Sequence, residues 1–64
     1  MNIDIYCTTA KRFIAVLHKH PIPESWAGAR FFKTIDLQPV DVRYGMGDAA
    51  QVLAYIEGEG YAVI

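Results

Sequence analysis

The sequence predicts a small α+β domain: one sheet packed by helices, with all of residues 1–64 in a single domain. Three observations predict it. Apolar residues alternate with period two at the start of the chain, they recur at helical spacing behind a capping residue near its end, and Gly and Pro punctuate the segments between. Sixty-four residues leave room for one core only.

In Asn2-Ile3-Asp4-Ile5-Tyr6-Cys7, Ile3, Ile5 and Cys7 fall on one side and Asn2 and Asp4 on the other. That is the pattern of a half-buried strand. The next stretch admits two readings. Ala10, Phe13, Ile14 and Leu17 stand at i, i+3, i+4 and i+7 behind Thr8 or Thr9 as N-cap, which describes a helix within residues 9–19 and the order βααβαβ. Phe13 to Leu17 is equally a short apolar run after Thr-Thr-Ala-Lys-Arg, which describes the second strand of a hairpin. Pro21 and Pro23 close the element either way.

Pro23-Glu24-Ser25-Trp26 opens a second helix, because Pro suits a first helical turn and Glu24 complements the positive end of the helix dipole. Gly28 weakens its interior by about 1 kcal/mol relative to Ala, so this helix relies on Trp26 and Ala29 packing inward. Residues 30–37 either prolong it or begin a strand, and Pro39 ends them. Asp48 with Gln51 forms a capping box ahead of Ala49, Val52, Leu53 and Ile56 at helical spacing. Gly58 and Gly60 provide the exit, and Tyr61 to Ile64 follow as a terminal strand.

In this order the elements resemble the YcgL-like family of small bacterial domains. The resemblance is carried by Ile5-Tyr6 before the Ser/Thr-and-basic turn Thr8-Thr9-Ala10-Lys11-Arg12, the apolar run after it, the Pro23-Glu24 helix start, and the capped helix closing on Gly60-Tyr61 and a last strand. It covers most of the chain at the level of pattern. It implies a hairpin over 2–18 and the order ββαβαβ, and it brings no catalytic residues to carry over. The chain departs from the family in a shorter second strand and in Phe31-Phe32, where the family is more polar.

A chain this short buries only about 60% of its unfolded surface, so additional support is expected. One cysteine, Cys7, rules out an intrachain disulfide, and no Cys/His cluster suggests zinc. With 53% apolar residues, part of the apolar surplus is expected at the surface, where partners dock. No signal peptide and no membrane-spanning run is read, and a lone thiol fits the reducing cytoplasm. The net charge of −1 hides an asymmetry. Residues 1–33 carry Lys11, Arg12, Lys19, Arg30 and Lys33 against Asp4 and Glu24, net +3, whereas residues 34–64 carry Arg43 against five carboxylates, net −4. Such a split can orient a partner; the plainer expectation is that the two sets neutralise each other across so small a fold.

Four constellations bear on chemistry. Cys7 and Arg12 have four residues between them and no Gly, one residue short of a phosphate-wrapping cysteine loop, so Cys7 is read as core. His18 and His20 would share a strand face and hold a metal only with a third ligand, for which Glu24 is the candidate; they are read as solvated. Gly45-Met46-Gly47-Asp48 is read as a turn, because Asp48 repels an anion. Basic and aromatic residues interleave in the first half, but an isoelectric point near 6.0 argues against nucleic acid.

No catalytic residue, metal ligand or cofactor is therefore assigned. Trp26, Arg30, Phe31, Phe32, Arg43, Tyr44 and Tyr61 are the residue types that dominate binding hot spots. Trp26 and one of the two adjacent phenylalanines are expected in the core, and the other near the surface. The expectation is a non-catalytic interaction or regulatory domain, an inhibitor of a larger machine among its possible forms. It would bind a protein partner or a second copy through this aromatic surface and a strand edge. A thiol- or histidine-using enzyme or ligand binder, and a nucleic-acid-binding module, are the alternatives.

Overall fold

The structure, a computed structural model, describes residues 1–40, 42–43 and 47–64, with the backbone alone at 42, 43 and 47. It is α+β. Strands β1 (Asn2–Cys7), β2 (Phe13–Leu17), β3 (Arg30–Asp36) and β6 (Tyr61–Val63) form an antiparallel sheet in the order β3-β1-β2-β6. Strands β4 (Val42–Arg43) and β5 (Gly47–Asp48) pair separately, and helix α1 (Ala49–Glu59) lies between β5 and β6.

The stretch left open between helix and strand is strand β2. It pairs with β1 in the register Ile3↔Leu17 through Cys7↔Phe13. The turn between them explains why no Gly signalled it. The Thr8 N–H donates to the Arg12 carbonyl at 2.9 Å, leaving a three-residue loop, 9–11, whose last member Lys11 takes the left-handed conformation at φ 62°. That is a type I turn followed by a left-handed residue, a common hairpin closure with Gly more often in that place.

The expected second helix is not an α-helix. Glu24–Trp26 is a single 3-10 turn, N-capped by Pro23, and none of its residues is buried. The physical reason lies in the connection it serves. Strands β2 and β3 both run antiparallel to β1 and so parallel to each other, and residues 18–29 must cross over β1 to join them. A short, Pro-bearing crossing leaves space for a turn only. It runs over the sheet face opposite α1, where Tyr61 shares a hollow with Pro21, Ile22 and Pro23 and another with Ser25 and Trp26.

The other face holds the main core. Ile3, Ala15 and Ala62 from three strands meet Ala49, Val52, Leu53 and Ile56 of α1, with Leu37 just beyond β3. Burying each of the Val, Leu and Ile side chains among them stabilises by about 1.5–3 kcal/mol. The helix starts at Asp48 as expected, but the Asp48 carboxylate accepts from the Ala50 N–H at 3.0 Å in place of the expected capping box with Gln51, and the helix stops at Gly60 with φ 89°. The crossover face is buried too: Ile14 and Val16 are inaccessible to solvent. The half-buried alternation expected of β1 gives way in its middle, where Ile3, Asp4 and Ile5 are all buried.

Candidate interaction surface

Among the described residues strand β3 is an edge, paired on one side only, and six of its seven residues are exposed. Its pairing with β1 slips between Ile5 and Tyr6. Ile5 faces Lys33 while Tyr6 faces Phe31, so Phe32 is the extra residue of a bulge. The bulge decides where the two phenylalanines go. Phe31 lies on the crossover face, edge-on to Tyr6 with ring centroids 5.8 Å apart. Phe32 lies on the helix face, its centroid 5.7 Å from that of Phe13.

Neither ring enters the core. Phe31 is 58% exposed and Phe32 56%, which corrects the expectation that one of them would be buried. Beside them a hollow of about 290 Å³ is lined by Cys7, Thr8, Thr9 and Arg30 together with both rings. Alternate peptide groups of β3 also face outward. Leu37 N–H donates to the Met1 carbonyl at 2.9 Å, so Ile3↔Ile35 and Ile5↔Lys33 exchange hydrogen bonds and the peptide groups of Thr34 point away from β1.

The other residues expected at an interface do not join this edge. Trp26 is half-buried in the 3-10 turn, with the Arg12 guanidinium carbon 5.0 Å from its ring centroid. Tyr61 lies on β6, at the opposite edge of the sheet. Arg43 has its backbone in β4, and Tyr44 lies outside the described residues. Sequence reasoning missed Tyr6, Phe13 and Lys33 as neighbours of the exposed rings, Lys33 with its Nζ 5.5 Å from the Phe32 centroid. Once the hairpin is drawn, strand alternation identifies the first two.

The groups with chemical potential are dispersed. Asp4 is buried on the crossover face, where its carboxylate accepts from Thr34 Oγ1 at 2.6 Å and the Lys19 N–H at 3.1 Å and lies 2.7 Å from His18 Nδ1. Burial by itself raises the Asp4 pKa. The hydrogen bonds from Thr34, His18 and Lys19, with the charge of His18, outweigh it and hold the carboxyl below its ordinary range. Cys7 alternates to the helix face, so the hairpin does not bring its thiol to the His18 imidazole. His18 and His20 do not share a strand either, because β2 ends at Leu17 and Lys19 turns the chain with φ 67°. Among the described residues no three His, Cys, Asp or Glu side chains gather as a metal site, and no helix is long and apolar enough to cross a membrane. The Lys11 and Arg12 amides donate to the carbonyl and hydroxyl oxygens of Thr8, so they are turned into the hairpin and not toward a ligand.

Comparison with protein-family models, curated proteins and solved structures returned no match.

Proposed function

We propose that this protein is a non-catalytic interaction domain that takes up an extended segment of another protein along the edge of β3, anchored by Phe31 and Phe32. The observation that carries this reading is the edge itself. A seven-residue strand presents outward peptide groups and two half-exposed phenylalanines, one on each face. An added strand gains main-chain hydrogen bonds from such an edge and side-chain contacts from both faces. Exposed aromatic rings at the start of a strand are unfavourable for a chain alone in water and favourable under a partner. Inhibition of a larger assembly by occupying one of its strands is a form this binding can take. Cys7, a free thiol, suits the cytoplasm as the place where it acts.

Site-specific photo-crosslinking tests the reading. A photoreactive phenylalanine analogue at position 31, expressed in the native host, is expected to trap a protein adduct. The same analogue in place of Glu57, on the exposed side of α1, is expected to trap none. Equal trapping at both positions, or trapping at Glu57 alone, rejects β3 as the binding edge.

A further inference from the structure

The cations around this edge indicate the chemistry of its partner, an inference that rests on the strand-uptake reading above. Cys7 lies opposite both Phe13 and Arg30, so the β1–β2 turn, with Lys11 and Arg12, and the start of β3 share one end of the sheet. Lys33 stands a little further along, opposite Ile5. Among the described residues none of these four cations has a carboxylate within 4.0 Å. The two ion pairs there join Met1 to Asp36 and His18 to Asp4. Among the described residues, then, no lysine or arginine of the first half pairs with a carboxylate of the second. The carboxylates of α1 are on the far side, since the helix packs on β2 and β6.

We infer that the segment taken up by β3 is acidic, with carboxylates meeting Arg30 and Lys33 and the charge of Lys11 at the hairpin tip beyond them. Lys33 is held along the surface by the Phe32 ring, whereas Arg12 lies over Trp26 on the crossover. The hollow beside Phe31 and Phe32 offers an acidic side chain the Arg30 guanidinium at its wall. A second copy fits less well. The antiparallel register that opposes Arg30 to Asp36 sets Lys33 against Lys33, and Asp36 already accepts from the N-terminal amine and from Gln38. Nucleic acid has no peptide groups to pair with those of β3, and the whole chain is net negative.

Three fluorescein-labelled heptapeptides test this, alternating Val with Glu, with Gln or with Lys. Fluorescence anisotropy reads their binding to the full chain, and amide shifts of a ¹⁵N-labelled sample locate it. The Glu peptide is expected to bind about tenfold more tightly than the Gln peptide, with shifts over residues 30–36. The Lys peptide is expected to be the weakest. Salt at 0.5 M is expected to remove most of the difference, since exposed pairs are screened. Arg30→Gln and Lys33→Gln, with folding checked by circular dichroism, are each expected to weaken the Glu peptide about threefold and to leave the Gln peptide unchanged. Equal binding of the Glu and Gln peptides at β3 overturns the acidic partner and leaves strand uptake standing. Failure of all three peptides overturns both. Tighter binding of a ten-residue oligothymidylate assigns the edge to nucleic acid. A concentration-dependent dimer by light scattering, with shifts at β3 and no peptide present, assigns it to a second copy; either result overturns the proposal.

Discussion

His18 Nδ1 lies 2.7 Å from Asp4 Oδ1 across the first hairpin, on a carboxylate that the sheet buries. The same carboxylate holds the Lys19 N–H and the Thr34 hydroxyl, tying the end of β2 and the edge strand β3 to the central strand β1. Its pKa is lowered in the fold, so the unfolded chain binds the proton more readily. The stability this provides is complete above the unfolded value of about 3.9 and is lost as pH falls through the lower, folded value. Urea unfolding between pH 7 and pH 2 is expected to show a falling acid limb that is shallower in Asp4→Asn. At pH 7 that variant is expected to lose about 1–3 kcal/mol, because an amide facing three donors leaves one of them unsatisfied.

Lys11 is a non-Gly residue with φ 62°, a conformation that costs an L-residue about 1–2 kcal/mol. Glycine removes that cost and gives back part of it in chain entropy. Lys11→Gly is therefore expected to stabilise by about 0.5–1 kcal/mol, seen as a rise of several degrees in Tm for a domain of this size. A fall in Tm would show that the lysine side chain packs usefully in the turn.

Removing the exposed rings is expected to leave the fold intact. Phe31→Ser and Phe32→Ser each lose one edge-on aromatic contact, about 0.5–1.5 kcal/mol. Ile3→Ala, at a fully buried position, is expected to cost about 2–5 kcal/mol. At about 0.05–0.15 kcal/mol per residue the whole domain has only a few to about 10 kcal/mol in hand. Thermal unfolding by circular dichroism should thus separate the serine variants, folded at 25 °C, from Ile3→Ala, close to unfolding.

The cap of α1 provides a local check. Asp48→Ala removes the acceptor of the Ala50 N–H and is expected to cost about 0.5–2 kcal/mol, with faster amide exchange confined to the first turn.

What the sequence determined by itself was local. Alternation placed β1, and helical spacing between Asp48 and Gly60 placed α1 and the strand after it, because in each case the periodicity, the cap and the terminator agree within a dozen residues. The aromatic surplus was visible in composition, and the adjacency of Phe31 and Phe32 meant that a regular backbone would part them. Only the tertiary structure decided the rest. Residues 13–17 suit a helix or a strand in isolation, and pairing with β1 and β6 makes them a central strand. The crossover from β2 to β3, required because β1 lies between them, limits the expected second helix to one turn. A bulge between Ile5 and Tyr6, which no residue type announces, decides that Phe31 takes the crossover face and Phe32 the helix face, and the edge position leaves both in solvent.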